Sequence, residues 1–505
     1  MLSVVAALWV AGGCSGSQSG GGTGGSGRGG AGTGGIASGA GGVATGGNAG
    51  TGGGGAGGPA SSGGAGSGGI SDTGGSTGGV AGRGGAGAGG ALGTGGTAGT
   101  GGAAGTTGVG GHAGSGSGGA SATSGSAGTS GGGHWVGTWT GASQLVETSN
   151  LPPAPLSNAV LRQVVHATLG GSQIRVRFSN DFGNGPLTIN AAHVAVCKAS
   201  PVNSTIDTAT DKALSFSGMA SVTIPQGMAV WSDPVGFTLA PFGNVSITTA
   251  FGSVPTNVTG HPGSRTTSYE QTNSTNVTAA SMASAQTMDH WYVIAGLDVM
   301  ADAAAEGLVI LGDSITDGRG SDTNGNNRWP DDLAKRLMAN AATADIGVMN
   351  QGIGGNDISG SMLGPSGVDR FMRDVLNQSG VRWVIIFEGT NDIGGSELPA
   401  STVTSAYAQL ISQAHAKNLK VYGATITPFN GHSYYTAAHE SARQSVNAYI
   451  RGTAFDGLID FDKALSDGKS PPSIVSTYDS GDGLHPNVAG HQKLADTVDL
   501  ALFSN

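Results

Sequence analysis

Glu306-Gly307-Leu308-Val309-Ile310-Leu311-Gly312-Asp313-Ser314-Ile315-Thr316 is an apolar run that ends abruptly in a small polar turn. Leu308 to Leu311 shows no apolar–polar alternation, the pattern of a parallel strand buried on both faces. Ile346 to Met349, Trp383 to Phe387, Val421 to Thr425 and Leu458 to Phe461 read the same way. Stretches of helical period lie between them. Leu333, Ala334 and Leu337 share one face, and Tyr407, Leu410, Ile411 and Ala414 another. A last helix is expected from about Ala489 to Leu502. Strands alternating with helices predict an α/β fold, a parallel sheet with helices on both sides.

Sheets of this kind hold their ligands outside the carboxyl ends of the strands. Gly312-Asp313-Ser314-Ile315-Thr316 follows the first strand and Asn350-Gln351-Gly352-Ile353-Gly354-Gly355-Asn356 the second. Gly389-Thr390-Asn391-Asp392 follows the third, and Asp482-Gly483-Leu484-His485-Pro486 precedes the final helix. Taken singly, Gly-Asp-Ser is an ordinary strand-ending turn and Asp-x-x-His an ordinary surface pair. Together, in this order and at one edge of one sheet, they form a constellation.

These four motifs resemble the SGNH hydrolase family, also called GDSL-type esterases, over roughly Glu306 to Asn505. The resemblance implies a flavodoxin-like, three-layer α/β/α domain that hydrolyses carboxylic esters with no metal and no cofactor. It carries the family's nucleophile onto Ser314 and its Asp-x-x-His pair onto Asp482 and His485. The oxyanion-hole glycine aligns with Gly355, with Gly354 as the alternative, and the oxyanion-hole asparagine with Asn391. The chemistry is consistent with those assignments. A serine hydroxyl is a poor nucleophile until a base takes its proton. His485 titrates near neutral pH, and Asp482 can orient its ring and stabilise the imidazolium. The Ser314 N–H, the Gly355 N–H and the Asn391 amide are the candidate oxyanion donors.

Neighbouring polar residues take plainer roles. Asp479 is a second acid near His485, and spacing favours Asp482. Asp392 and Glu388 are expected to make strand-end hydrogen bonds, and Trp329 to sit in the core. His432 is expected on an exposed loop, and His491 is expected to be structural.

Upstream, from His134 to about Met300, the period changes to two. Gln173-Ile174-Arg175-Val176-Arg177-Phe178 alternates as a half-buried strand does. Leu161 to Leu169 and Ser172 to Asn180 flank Gly170-Gly171 and read as a hairpin. Ala220 to Ile224, Val235 to Leu239 and Val245 to Thr249 are further strands. A β-sandwich, or jelly roll, is the expected fold. A β-domain opening on Trp135-Val136-Gly137-Thr138-Trp139 and followed by the esterase motifs resembles a two-domain bacterial subgroup of the same family. That subgroup includes arylesterases and xylan-related acylhydrolases, so the resemblance points to aryl esters or to acetyl groups on polysaccharide.

Further upstream, Ser15 to Gly133 is almost entirely Gly, Ala, Ser and Thr, and it holds most of the 98 glycines. So little bulky apolar surface cannot offset ordering entropy, and a disordered tether is expected. Leu2 to Val10 is a short apolar run before Ala11-Gly12-Gly13-Cys14. This resembles a bacterial lipoprotein signal with Cys14 as the lipidated residue, although no Lys or Arg precedes it. The plainer reading is secretion with cleavage near Ala11 to Gly13. Either route places the protein outside the cell or on its surface, possibly held at a membrane through Cys14. The expected division is 1–14 signal, 15–133 tether, 134–300 β-domain and 301–505 catalytic domain.

The net charge of -10 and the lack of a basic run argue against nucleic acid as a partner. No His/Cys/Asp cluster has zinc-like spacing, and no Gly-rich loop ends in Lys-Ser/Thr. Two other functions compete with the esterase. One is a glycan-binding or adhesive surface protein with a non-catalytic α/β domain. The other is a lysophospholipase or thioesterase that prefers long acyl chains.

Overall fold

Five strands pair in parallel around the opening run: β1 (Glu306–Gly312), β2 (Ile346–Gly352), β3 (Val381–Phe387), β4 (Lys420–Ala424) and β5 (Gly457–Ile459), in the spatial order 2-1-3-4-5. The computed structural model describes residues 133–282, 284–452 and 454–504. The expected signal segment, Cys14 and the expected tether as far as residue 132 lie outside the described residues. Alternate side chains of the strands enter two separate apolar layers, which is why their sequences are apolar throughout. Val309, Leu311, Val384, Ile386 and Val421 pack with residues of the helices Ala400–His415 and Ala437–Ile450. Leu308, Ile310, Ile385, Tyr422 and Ala424 pack with the helices Trp329–Ala339, Phe461–Leu465 and Val488–Thr497. The strand order reverses at β1, which makes its carboxyl end the switch point where such sheets bind ligands.

The last helix is shorter than its sequence suggests. It ends at Thr497, because Val498 leaves the helical region at φ -70 and ψ 120. Asp499 then accepts the Ala501 N–H and starts a separate 3-10 turn, Leu500–Phe503.

Residues 134–301 form antiparallel sheets. His134–Thr140, Ile294–Ala301 and Gly171–Ser179 are neighbours in one of them. Ala159–His166 lies between Asn244–Phe251 and Ser268–Thr272 in another. Both send side chains into one core: Val136, Val176, Phe178 and Leu297 from the first, Leu161, Val165 and Ile247 from the second. The hairpin expected at Gly170-Gly171 does not form, since its two strands belong to different sheets. Ala159–His166 is paired along both edges and has no free side for a hairpin partner. The two glycines serve close approach instead. A Cβ on Gly170 would lie 2.6 Å from the Leu239 carbonyl oxygen, and one on Gly171 2.6 Å from that of Met300.

The link between these sheets also covers the open edge of the parallel sheet. β2 is the edge strand, and its outward backbone groups would otherwise lack partners. The Thr168 hydroxyl accepts the Val348 N–H at 2.8 Å, and its own proton lies between the carbonyls of Val348 (3.1 Å) and Thr138 (2.9 Å). Thr140 donates to the Asn350 carbonyl at 2.9 Å. Gly347 lets the strand His134–Thr140 come this close, because a Cβ there would sit 2.5 Å from the Gly137 carbonyl oxygen. The described antiparallel and parallel regions thus belong to one compact unit.

Thr168→Val keeps the shape of the side chain and removes the hydroxyl, leaving the Val348 N–H and carbonyl unpaired. The expected cost is about 1–3 kcal/mol, read as a lower urea midpoint with an unchanged m-value. An unmoved midpoint would count against the edge-covering role.

Candidate active site

β1 delivers Ser314 through a tight turn. The Asp313 side chain accepts the Ile315 N–H at 2.9 Å and caps the one-turn helix Ser314–Asp317. Gly318 ends that helix at φ 105, a left-handed value that glycine adopts without penalty. Burial pushes the Asp313 carboxyl up to about 7.

The loop before the final helix supplies the partners. Asp482 Oδ1 accepts the backbone N–H groups of Leu484 (3.0 Å) and His485 (2.8 Å), so the carboxylate is fixed on its own loop. Its Oδ2 lies 2.7 Å from His485 Nδ1, and His485 Nε2 lies 2.8 Å from Ser314 Oγ. Burial raises the Asp482 carboxyl, but bonds from the His485 N–H and ring, with the charge beside them, outweigh it and hold it well below the usual range. Burial likewise lowers His485 below its ordinary 6.5, against the pull of Asp482. Asp479 turns elsewhere and accepts the N–H groups of Gly481 (2.9 Å) and Gly483 (3.1 Å), which shapes the loop.

Two further loops complete the rim. Gly355 follows β2 at φ 71 and packs against Leu363, where a Cβ would meet Leu363 Cδ1 at 2.9 Å. Gly354 lines the same cleft without a positive φ, and a Cβ there would meet only Asp317, at 3.4 Å. Asn391 follows β3. Its Nδ2 donates to the Asn356 carbonyl at 2.9 Å, and its Oδ1 accepts from the Tyr434 hydroxyl at 3.1 Å. The hydroxyl fixes which end of the amide is nitrogen. The second N–H of that nitrogen has no protein partner among the described residues. Asp392 ties the two loops together by accepting the N–H groups of Ile358 (2.8 Å) and Ser359 (3.0 Å).

Arg370, which the sequence did not single out, lies fully buried beneath these loops. It donates to the carbonyls of Gly312 (3.0 Å) and Gln351 (2.6 Å), to Asn356 Oδ1 (3.0 Å) and to Glu388 Oε1 (3.1 Å). Burial pushes the Glu388 carboxyl well up despite this partner. Trp329 is in the core, edge-on to Phe387 and Phe461. His491 is buried between the Trp329 N–H and the Arg319 carbonyl, and burial lowers it to about 4. His432 departs from the exposed position expected for it. The chain reverses at Gly431, φ 107, and the half-buried ring lines the cleft beside Tyr434, 4.6 Å between centroids.

The antiparallel region forms a wall of this same cleft, with Gln144, Glu147, Asn150, Arg265 and His290 facing Ser314 and His485 across about 490 Å³. His261 fixes the wall to the helix that carries the serine. Its Nε2 lies 2.9 Å from Asp317 Oδ1 and its Nδ1 3.0 Å from the Ala142 carbonyl, both buried. A Cβ on Gly263 would overlap the Asp317 carboxylate at 1.7 Å. Asn324 adds a hydrogen bond from its N–H to the Arg265 carbonyl at 2.8 Å, and Arg328 donates to the Ser264 carbonyl. The one local signal for this wall is the turn His261-Pro262-Gly263-Ser264-Arg265; that it reaches Asp317 is not written in its spacing.

The arrangement can move a proton from a hydroxyl to an imidazole backed by a carboxylate, beside backbone and amide donors. Residues 310–493 match the GDSL-like Lipase/Acylhydrolase family. Similar solved structures include an acetyl xylan esterase, 23% identical, covering 38% of this chain and 96% of that one, TM-score 0.30. A carbohydrate acetylesterase family member from Sinorhizobium meliloti is 13% identical, with 39% and 97% covered and TM-score 0.32. A lipase/acylhydrolase from Enterococcus faecalis is 20% identical, with 38% and 92% covered and TM-score 0.31. No curated protein matches the chain.

A double-mutant cycle with His261→Gln and Asp317→Asn should give a coupling of about 0.5–3 kcal/mol, as for contacting buried partners. Strict additivity of the two stability losses would contradict a tie between the wall and the serine helix.

Proposed function

We propose that this carboxylic ester hydrolase of the SGNH, or GDSL-type, family cleaves short acyl esters from a polar, glycan-like alcohol through an acyl-enzyme. The observation that carries the reading is the unbroken line from Ser314 Oγ through the His485 ring to Asp482, 2.8 and 2.7 Å, opening on the cleft. Ser314 Oγ attacks the ester carbonyl while its proton passes to His485 Nε2. Asp482 holds Nδ1–H and stabilises the imidazolium. The Ser314 N–H, the Gly355 N–H and the free N–H of Asn391 receive the oxyanion. His485 returns the proton to the leaving alcohol, and water then repeats the sequence on the acyl-enzyme.

The cleft wall favours a sugar-like alcohol and a small acyl group. It is mostly polar, with a limited apolar patch at Leu363 and Leu484. Acetylated polysaccharide and small aryl esters fit these demands. One observation favours a longer acyl chain: Met362 and Leu363, beside the cleft, are 42% and 40% exposed. The antiparallel sheets share one core, and we read them as a sandwich. Export, and lipidation at Cys14 ahead of the Gly-rich tether, remain part of this proposal on the strength of the N-terminal sequence.

A series of p-nitrophenyl esters of increasing chain length separates the two substrate readings, with acetate expected to give the highest kcat/KM and a rise towards long chains favouring the lipid reading. Ser314→Ala should abolish turnover, and Asn391→Ala should lower kcat by ~10²–10³; a Ser314→Ala enzyme of full activity would refute the mechanism. His485 must be neutral to act as base. Its lowered value keeps it neutral at pH values where an ordinary imidazole, at 6.5, is protonated, so the acid limb of kcat/KM should fall below pH 6.5. A limb above 6.5 would contradict the buried ring.

A further inference from the structure

The wall opposite His485 carries two cationic side chains with no anion of their own. Arg265 sits on the turn after His261 at φ 50, left-handed and uncommon for a residue with a Cβ. Several contacts impose that conformation: the Asn324 N–H on the Arg265 carbonyl, the Thr266 N–H on Ser264 Oγ at 3.2 Å, and Gly263 against Asp317. Strain of this sort persists where the surroundings over-determine it, and it collects at ligand sites. The guanidinium it presents is incompletely satisfied. Its Nε is buried with no partner. The Asp317 carboxylate nearby is engaged by His261 at 2.9 Å. Asp289, also close, accepts from Thr267 at 3.1 Å. Burial lowers the Arg265 guanidinium, with the neighbouring cations Arg328 and Arg319 adding to that effect.

Arg319 lies on the other side, one residue past the helix of Ser314. Its N–H returns to the Ser314 carbonyl at 2.9 Å, and its carbonyl accepts from His491 at 3.1 Å. The backbone is thereby fixed while the exposed side chain lines the cleft. Glu147 is the remaining acid of the cleft lining, and it is held by the Asn150 amide at 3.0 Å and by Gln144. Two neighbouring guanidiniums left without a carboxylate repel each other and call for an anion between them, which the guanidinium fork suits when that anion is a carboxylate or phosphate.

We propose that Arg265 and Arg319 form an anion subsite on the alcohol side of the ester, and that its occupant is the carboxylate of an acidic sugar adjoining the acylated one. The inference rests on the ester-hydrolase reading of Ser314 and narrows its substrate to acetylated acidic polysaccharide. The amides of Gln144 and Asn150 beside the pair suit sugar hydroxyls.

The test uses the full chain and compares kcat/KM for acetate release from an acetylated uronate oligosaccharide and from an acetylated neutral xylo-oligosaccharide. The acidic-to-neutral ratio should exceed one and fall as salt rises. In Arg265→Gln/Arg319→Gln the ratio should drop about tenfold or more, as expected for loss of charge-assisted hydrogen bonds. A ratio is insensitive to the fraction of folded enzyme, so partial misfolding cannot imitate this result. A ratio that both enzymes share overturns the subsite, while p-nitrophenyl acetate turnover by the wild type shows that the hydrolase reading survives. Faster cleavage of an anionic lysophospholipid than of the uronate ester, lost in the same double variant, overturns the sugar assignment in favour of a phosphate.

Discussion

A single buried guanidinium holds the catalytic rim together. Arg370 binds the last carbonyl of β1, the carbonyl of Gln351 on β2, the Asn356 side chain and Glu388 at the end of β3. These are the points from which the chain departs towards Ser314, Gly355 and Asn391. Each departure could relax independently if it depended only on its own loop. Tied to one planar group with directed donors, the three strand ends share one geometry. The charge is balanced at the base by Asp374, 3.4 Å away, whose carboxyl Arg373 and Arg370 hold below the usual range although burial opposes them. A buried charge is tolerated only when paired and hydrogen-bonded, and here the requirement is met by the atoms whose positions matter for catalysis. Asn356 extends the chain of constraint, since its carbonyl receives the Asn391 amide and its side chain receives Arg370.

The antiparallel region acts on the same rim from outside. Its threonines satisfy the backbone of β2, and its His261 engages the serine helix at Asp317. One surface therefore serves both stability and the shape of the cleft. This explains why the site is deeper than the five-stranded sheet alone would make it, and why several of its polar groups lie more than 100 residues before Ser314 in the chain.

The parallel strands were readable because burial on both faces leaves an unmistakable apolar run, and the motifs because each stands directly after such a run. Ser314, Asp482 and His485 needed only order and spacing to be put forward together. Arg370 left no such trace. An arginine on a short helix reads as surface until the carbonyls it serves are known. The hairpin at Gly170-Gly171 was misread because two adjacent glycines look the same whether they make a turn or allow a close crossing. The helix stop at Val498 was missed because valine is a tolerable helix residue, and it is the Asp499 cap that redirects the chain. His432 was misplaced because Gly431 reverses the chain by a dihedral that composition does not disclose. The composite wall was invisible for a simpler reason: pairing between His261 and Asp317 has no local signature.

The threonine cover on β2 also has a bearing on how the molecule can be divided. A catalytic domain cut free at Glu306 would keep its serine, imidazole and carboxylate, yet it would present Val348 and Asn350 as a bare strand rim. Such a rim invites a second copy to extend the sheet. The smallest well-behaved esterase is therefore the two-part body, and the antiparallel region acts as an internal chaperone against self-association.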